Sequence, residues 1–507
     1  MNTELMETKV VEQFKMLDEK ISRLSSISGL LDWDQKVMAP KKGRQFFSKA
    51  VGELETEIFK LSVSEEMGEL IDEVSKPEVL NTLDQNTKAR LRMRKSYYDK
   101  NKSIPADLYK EYAILCSEAN GAWEQARANN DFNHYLPFLE KMIKIKREFI
   151  QFMGYENHPY DALLDEFEPG LTVEKLNAVF FELRESSIQL LNRIKESTNK
   201  PSTEFLSHNY DAEKQKQFNR FMLPLLGFDL EAGRLDETVH PFAQSINVGD
   251  VRITTRYLED NVLSALFGTI HEAGHGIYEQ RINPELDGTV LSQGASFGIH
   301  ESQSRFLENM VGRSKEFWEY FLPHLQNYFP EHLSNVTVEE FYKAVNSVQP
   351  SFIRVEADEL TYNLHIIIRY EIEKALMEGQ LEAKDLPKVW NEKMEEYLGI
   401  VPPTDSLGVL QDIHWSFGAF GYFPSYTLGN LYAAQILNKM EKEIPDLYTN
   451  VKEGNLEIVM GWLQQNIHQY GSIYTPDELI LQVTGEEMNA TYLVKYLEKK
   501  YADVYGI

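Results

Sequence analysis

Helical periodicity runs through almost the whole chain, and this feature restricts the possible folds most strongly. The segment LNAVFFELRESSIQLLNRI, for example, places Leu176, Val179, Phe180, Leu183 and Leu190 at steps of three and four residues. This spacing puts the apolar side chains on one face of an α-helix. Because comparable segments follow one another along the sequence, we predict a mainly α-helical fold.

Residues typical of helix ends support this prediction. TVEE (337–340) and TPDE (475–478) have the pattern of a capping box, in which a threonine side chain and a glutamate three residues later satisfy free backbone N–H groups. Gly379 follows a long amphipathic segment and is typical of a helix stop. The clearest strand signal is VRITTR (251–256), where apolar and polar residues alternate. We therefore expect a small β element just before the segment TIHEAGHGIYEQ (269–280).

Size and composition limit the protein class. The chain has 507 residues, 42% of them hydrophobic, without repeats or long linkers, so we expect a single domain over residues 1–507, with two lobes flanking a deep groove. The formal net charge of −27 argues against nucleic acid as a partner. No segment approaches the roughly 18 consecutive apolar residues of a membrane span. Cys116 is the only cysteine, which excludes an intrachain disulfide; with no secretory signal visible, we expect a cytoplasmic protein.

The segment HEAGH predicts a metal site. His271 and His275 are four residues apart, so they share one face of a helix and can bind one zinc ion through neutral imidazoles. Glu272 is rotated by about 100° from His271, which suits a base acting on a metal-activated water. The alternative is two histidines that are simply hydrogen-bonded on a helix surface. Gly274 lowers helix propensity by about 1 kcal/mol, which predicts a close neighbour at this position.

A catalytic zinc site usually has a third protein ligand and an open fourth position. The segment SFGIHESQS, downstream of HEAGH, offers His300 and Glu301. Spacing alone does not choose between these two residues.

Two further segments are candidates for substrate contacts. IRVEADELTYNLHIIIRYE carries a polar stripe at helical spacing, and we expect it to line a cleft rather than a dry core; its members are Arg354, Asp358, Tyr362, His365 and Arg369. The Gly-rich and aromatic segment 408–429 contains His414, Tyr422 and Tyr426. These side chains can donate to an oxyanion, although aromatic packing explains the same composition.

A basic segment stands out in this acidic chain. TKARLRMRKSYYDKNK (87–102) concentrates arginine and lysine. One interpretation is a solvated helix face. The other is a basic wall that draws peptide carboxylates into a cleft.

Several of these segments belong to one ordered set of motifs. HPF (240–242), DVRIT (250–254), HEAGH, HESQS, IRVEAD (353–358) and GVLQDIHW (408–415) resemble the motifs of the carboxypeptidase Taq family, and the likeness extends over essentially the whole chain. The resemblance implies a saddle-shaped helical fold with a deep central groove, and a homodimer. It also implies His271, His275 and Glu301 as metal ligands, Glu272 as general base and acid, and one zinc ion per chain, for which cobalt can substitute.

The predicted function is therefore a metal-dependent carboxypeptidase of broad specificity, acting on peptides with a free C-terminus. Such an enzyme needs a cation for the terminal carboxylate, and Arg354 and Arg252 are the candidates because the planar guanidinium binds carboxylates through two N–H groups. The VRITTR strand is expected to pair along its edge with the peptide main chain. The alternatives are a zinc oligopeptidase or dipeptidyl carboxypeptidase, and a non-catalytic peptide-binding scaffold with a structural metal.

Overall fold

The computed structural model describes the backbone of residues 2–507 and the side chains of all these residues except 2–7, 44, 45 and 106. The first helices are α1 (Asn2–Val37), α2 (Arg44–Ser62), α3 (Glu65–Val74), α4 (Pro77–Leu80), α5 (Gln85–Asn101), α6 (Ala106–Asn129), α7 (Phe132–Met153), α8 (Asp161–Phe167), α9 (Val173–Glu196) and α10 (Ala212–Leu226). The later ones are α11 (Val262–Gln280), α12 (Phe297–Arg305), α13 (Lys315–Tyr328), α14 (Pro330–Leu333), α15 (Val338–Val345), α16 (Glu359–Glu378), α17 (Leu386–Leu398), α18 (Pro424–Glu443), α19 (Leu447–Lys452), α20 (Glu457–Asn466), α21 (Pro476–Thr484) and α22 (Thr491–Tyr505). The predicted mainly α fold is confirmed.

The predicted helix ends are also found. Thr337 and Thr475 each accept the N–H of the glutamate three residues later, and that glutamate returns a contact to the threonine N–H, so both capping boxes are complete. Gly379 ends α16 with φ of +80°, a left-handed conformation that glycine adopts without steric cost.

The β element is a three-stranded sheet beside α11. Its strands are β1 (Gly233–Glu237), β2 (Ala243–Asn247) and β3 (Asp250–Thr255), in the order β1-β3-β2. β3 is parallel to β1 and antiparallel to β2. The strand predicted at VRITTR is therefore present, but the expectation that a peptide pairs along its edge is wrong. β3 is the central strand, and its backbone groups on both sides are occupied by its neighbours.

Two of the three hydrophobic clusters in the described residues organise most of the chain. The larger one joins helices from α6 to α22. A smaller one lies between α1, α3 and α5 and includes Phe14, Ile21 and Ile71. A groove of about 1600 Å³ opens beside α11 and α12. Within the described part of the chain, no helix is both long and apolar enough to cross a membrane. The single domain stays a prediction.

The arginines of the basic segment fit neither of its two interpretations, whereas Lys88 and Lys95 are exposed, as the solvated helix face predicts. Arg90 and Arg94 are buried on α5, and their Nε atoms donate to the two carboxylate oxygens of the fully buried Asp18 on α1, at 2.6 and 2.7 Å. Arg92 donates to the carbonyls of Ser472 and Ile473. These arginines join helices; they form neither a solvated face nor a wall of the groove.

Candidate metal centre

Three potential metal ligands meet at the groove wall. The Nε2 atoms of His271 and His275 lie 3.7 and 3.4 Å from Oε2 of Glu301. A tetrahedral zinc ion with bonds of about 2.0–2.1 Å separates its ligand atoms by roughly 3.4 Å. The two distances from Glu301 are close to this separation, and the three ligand atoms all lie within 4.8 Å of one another. In the described residues, this is the only group of three or more His, Cys, Asp or Glu that could hold a metal ion.

Glycines allow the helices that carry these ligands to pack closely. A Cβ atom at Gly274 on α11 would lie 2.6 Å from the Cα of Ser304 on α12. On the opposite side of α12, a Cβ at Gly429 of α18 would lie 2.4 Å from Cγ of Glu301. Neither contact is possible for a larger residue without movement of backbone. The close neighbour predicted at Gly274 is confirmed, and it is the helix that carries Glu301.

The second nitrogen of each histidine is also occupied. Nδ1 of His271 lies 2.9 Å from Oε2 of Glu308. Nδ1 of His275 lies 2.5 Å from Nδ1 of His300, whose Nε2 lies 2.8 Å from Oε1 of Glu279. A neutral His300 that donates from Nε2 to Glu279 leaves its Nδ1 free to accept the N–H of His275. Both histidines then keep Nε2 available for a metal, in the tautomer that such second contacts normally fix.

Glu308, the partner of His271, lies where α12 gives way to a different type of helix. Residues Phe306–Val311 form a π-helix, a feature that often lies at functional sites. Arg305 bridges the two carboxylates, with Nε at 2.7 Å from Glu301 and Nη1 at 3.2 Å from Glu308. The arginine orients both acids and balances their charge.

Glu272 lies on the groove wall, one residue from His271, and only 7% of it is exposed. Burial raises the pKa of its carboxyl to about 7, with the neighbouring Glu301 adding to the rise and His271 opposing it. A carboxyl group with a pKa near neutrality can both accept and return a proton at physiological pH.

The three residues of the aromatic segment are brought together. Tyr422 and Tyr426 line the groove, and their rings lie 5.3 Å apart. His414 is buried behind them, with Nε2 at 3.2 Å from the hydroxyl of Tyr426. Burial lowers the pKa of His414 to about 3, with Arg354 and Arg369 contributing in the same direction and Asp412 opposing them. The imidazole is therefore neutral, and the two tyrosines are the members of this group that line the groove.

Arg354 lies at the groove, as predicted. Its Nε and Nη2 donate to Oδ1 of Asp412 at 3.1 and 2.8 Å, and Nη1 donates to the hydroxyl of Tyr362 at 2.9 Å. Its guanidinium lies over the ring of Tyr426, 4.7 Å from the centroid. Among the described residues, one N–H on Nη1 and one on Nη2 have no hydrogen-bond partner. These two groups can hold a carboxylate end-on.

Arg252 does not reach the groove wall. It donates to both carboxylate oxygens of Asp250, at 2.8 and 2.7 Å, and lies over the ring of Trp33 on α1. The neighbouring residues Val251 and Ile253 point to the opposite face of the sheet, where Ile253 approaches α11 at Gly276. The expectation that Arg252 meets the substrate is therefore not supported by its position.

The polar stripe divides into two parts. Arg354, Asp358 and Tyr362 line the groove. His365 and Arg369 have no exposed surface, so the expectation that they line a cleft is wrong. The helix also begins later than the stripe suggests, since Asp358 is the N-cap of α16 and accepts the N–H groups of Leu360 and Thr361.

Comparison with known proteins identifies the family. A family model described as Carboxypeptidase Taq (M32) metallopeptidase matches residues 13–501. The chain belongs to this family. Carboxypeptidase 1 of Bacillus subtilis (strain 168) is 47% identical over 494 residues, which cover 97% of this chain and 98% of that protein. Thermostable carboxypeptidase 1 of Thermus thermophilus is 42% identical over 492 residues, which cover 95% of this chain and 96% of that protein.

Solved structures agree with this assignment. The M32 carboxypeptidase from Deinococcus radiodurans R1 superimposes with a TM-score of 0.95 at 35% identity, covering 98% of this chain and all of that one. The protein is accordingly a metallocarboxypeptidase, and the carboxypeptidase Taq (M32) family implies a metal cofactor and peptide substrates. The predicted family, fold class and enzyme class are confirmed.

Sequence reasoning missed several residues around the metal centre. Arg305 and Glu308 follow Glu301 at four and seven residues, a helical spacing that could have indicated a shared face. Asp412 lies in the motif that contains His414 but received no role. Glu168 and Glu373 gave no signal, because a single glutamate among apolar residues has the same pattern whether it is exposed or buried.

Proposed function

We propose that this metallocarboxypeptidase binds one zinc ion through His271, His275 and Glu301 and removes single amino acids from the C-terminus of peptides. The observation that carries the proposal is the meeting of these three ligand atoms beside Glu272 on the wall of one groove. Two imidazoles and one carboxylate are a donor set typical of catalytic zinc, and cobalt, which accepts the same donors, can substitute.

Glu272 is the general base and acid. A bound zinc ion supplies a Lewis acid and makes a water molecule acidic enough to lose a proton near neutral pH. Glu272 takes that proton as the water attacks the carbonyl carbon of the last peptide bond. It then passes the proton to the nitrogen of the departing amino acid. Its place beside the ligand His271 on the groove wall supports both steps.

The hydroxyl groups of Tyr422 and Tyr426 stabilise the negative charge that develops on the carbonyl oxygen. Both side chains line the groove, and His414 fixes the hydroxyl of Tyr426 through its hydrogen bond. Burial raises the pKa of Tyr422 to about 12, so this hydroxyl keeps its proton at neutral pH. Donors held in position in this way stabilise a transition state more than a ground state.

Arg354 binds the C-terminal carboxylate of the substrate. Asp412 and Tyr362 hold the guanidinium in place while its outer N–H groups face the groove. Every peptide with a free C-terminus has this carboxylate. An enzyme that recognises it, and gains little binding energy from the side chains of the substrate, has broad specificity. The same contact explains why one residue, rather than an internal fragment, is released.

Product analysis tests this proposal against dipeptidyl carboxypeptidase and oligopeptidase activity. The metal-loaded enzyme is incubated with unblocked peptides, and the products are identified by mass spectrometry over time. We expect single amino acids to be released one after another. Release of dipeptides or internal fragments would contradict the proposal.

The role of Glu272 is tested on the same substrates. Glu272→Gln should keep its metal content and lose about 10²–10⁴-fold in kcat, the usual cost of removing a general base. Glu285→Gln, an exposed change outside the groove, is the matched control. Near-normal turnover of Glu272→Gln with full metal content would exclude this role.

The ligand assignment has its own test. Glu301→Ala should lose zinc affinity sharply, whereas His300→Ala should lose about 10–100-fold, as expected for a residue that orients a ligand. Equal loss in both variants would contradict the assignment.

The homodimer, the cytoplasmic location and the lack of nucleic-acid binding stay predictions from family resemblance and charge. Sedimentation of the purified protein tests the dimer.

A further inference from the structure

Glu373 is a buried carboxylate that contacts both ends of the segment carrying the catalytic aromatic residues. It lies on α16 and has no exposed surface. Oε1 accepts the indole N–H of Trp415 at 2.7 Å, and Oε2 accepts the backbone N–H of Gly421 at 2.8 Å. Oε2 also accepts the hydroxyl of Tyr160. Trp415 follows His414, and Gly421 precedes Tyr422, so one carboxylate holds residues 414–422, named here the aromatic loop, at both ends.

Tyr112 holds the middle of the aromatic loop by donating to the carbonyl of Phe417 at 3.0 Å, and the far end of the loop turns at Gly421. Gly421 has a φ of +93°, a conformation that favours glycine. A Cβ atom at this position would lie 2.6 Å from the carbonyl oxygen of Leu163, so the backbone is pressed against α8. Phe420 stacks on Trp415 with an interplanar angle of 7°. The loop therefore turns sharply at Gly421. This turn points the backbone N–H of Gly421 into the protein, where it donates to the carboxylate of Glu373.

A purely structural ion pair does not explain this carboxylate. Its three hydrogen bonds come from an indole, a backbone amide and a phenol, and no lysine or arginine donates to it among the described residues. Burial raises its pKa to about 7, although all three donors lower it. Arg369 acts on this carboxyl only through its charge; a buried acid without a hydrogen-bonded cation is costly to keep, and two of its donors belong to the aromatic loop.

We propose that Glu373 is a positioning residue, which holds the aromatic loop so that the hydroxyl of Tyr422, and through His414 that of Tyr426, face the reacting carbonyl. The inference rests on the roles proposed above for these tyrosines. Glu373 itself does not line the groove, so it acts only through the residues it holds. A displacement of about 1 Å at a catalytic donor can cost on the order of 10²-fold in rate.

The matched control is Glu371, which lies two residues before Glu373 on α16. Glu371 accepts from Arg184 at 2.9 Å, from Tyr397 at 2.7 Å and from Lys393, all away from the aromatic loop. Glu373→Gln should lower kcat by about 10- to 100-fold with metal content and KM little changed. Glu371→Gln should change kcat less than about twofold, since exposed and half-buried ion pairs act mainly on stability.

A double-mutant cycle separates positioning from a general loss of structure. Glu373→Gln and Tyr422→Phe are measured singly and together. If Glu373 acts through Tyr422, the loss of kcat in the double variant should be clearly smaller than the product of the two single losses. Independent losses that multiply would overturn the inference. If Tyr422→Phe alone leaves kcat unchanged, the proposed role of Tyr422 fails instead, so the two failures are distinguishable.

If Glu373→Gln does not fold, two variants that each remove only one hydrogen-bond donor test the same inference. Trp415→Phe and Tyr160→Phe each remove one donor to Glu373, but only Trp415 belongs to the aromatic loop. We expect Trp415→Phe to lower kcat by about tenfold and Tyr160→Phe to leave it nearly unchanged. Equal effects of the two variants on kcat would overturn the inference.

Discussion

Two groups of buried charges have the same composition and different surroundings. In each, one aspartate lies between two arginines. The scaffold triad consists of Arg90, Asp18 and Arg94, and the groove triad consists of Arg354, Asp412 and Arg369.

The scaffold triad lies beside the smaller core. Arg90 and Arg94 use Nε for Asp18, and their Nη2 groups donate to α1 as well, to the carbonyls of Lys15 and Asp18 and to Ser22. Neither arginine lines the groove. These ion pairs join α5 to α1 and do not contact the groove in which a substrate would bind.

The groove triad differs at one end. Arg369 is fully buried and donates to Asp412 and to the carbonyl of His365. Arg354 also pairs with Asp412 but lies at the groove wall beside Tyr426, with two outer N–H groups free in the described structure. The comparison teaches that the charge pattern alone does not define function. What matters is whether one guanidinium keeps unoccupied donors at a surface that a ligand can reach.

The largest expected effect concerns the scaffold triad. Asp18→Asn leaves the buried Arg94 without a carboxylate and Arg90 with only the partly exposed Glu19, 3.2 Å from its Nη2, and it should lower the free energy of unfolding by about 3–5 kcal/mol. The kcat/KM of the folded fraction should not change. Asp412→Asn is the matched variant and should lower both quantities. Urea denaturation and steady-state kinetics on the same samples test the pair; a loss of kcat/KM in folded Asp18→Asn would break the comparison.

The next effect concerns the residues packed on the groove triad. Tyr422→Phe and Tyr426→Phe should each lower kcat by about 10²–10³-fold, or roughly 2.7–4 kcal/mol, the cost of losing one oxyanion donor. Tyr98→Phe on α5 is the control beside the smaller core and should leave kcat unchanged. If both groove variants change only KM, these hydroxyl groups bind substrate and do not stabilise the transition state.

A pH experiment sharpens the difference between paired and unpaired buried acids. Burial alone would raise the pKa of Asp412, but Arg354 and Arg369 hold it well below 3.8, so its contribution to stability is present above pH 3.8 and is lost only in strong acid. Among the described residues, no arginine donates a hydrogen bond to Glu168, whose partners include the N–H of Gly298 and the hydroxyl of Tyr432. Burial raises its pKa from 4.5 to about 7, although Ser296, Gly298 and Tyr432 oppose the rise.

The contribution of Glu168 to stability therefore depends on pH in the opposite direction from that of Asp412. Its contribution is fully present below pH 4.5 and is lost as the pH rises through about 7, because the folded state binds the extra proton. Between these values, the stability of the native protein relative to Glu168→Gln should fall by up to about 3 kcal/mol. Chemical denaturation of both proteins at several pH values measures this difference. A constant difference would mean that Glu168 is ionised throughout.

Sequence patterns predicted the features that depend on local spacing. The capping boxes, the stop at Gly379 and the shared face of His271 and His275 follow from helix geometry. Gly274 even indicated the close approach of α12. These features depend only on neighbouring residues in the chain. The order of the motifs along the sequence predicted the family.

Features that depend on distant partners were not predictable. GRLDE and AQSIN, the sequences of β1 and β2, lack the alternation of a strand, so nothing showed that β3 is central. The direction of Arg252 depends on which face of the sheet α1 covers. The burial of His365 and Arg369 likewise arises from packing that spacing does not encode.

The central claim is that Arg354, unlike the arginines of the scaffold triad, binds the C-terminal carboxylate of the substrate. The most direct test compares free-acid and C-terminally amidated peptides with the native enzyme and with Arg354→Ala, using Arg252→Ala as a control. A charge-assisted hydrogen bond contributes about 1.5–3 kcal/mol, so amidation should lower kcat/KM of the native enzyme by roughly 10- to 150-fold. This penalty should largely vanish in Arg354→Ala and persist in Arg252→Ala. An undiminished penalty in Arg354→Ala would contradict the account.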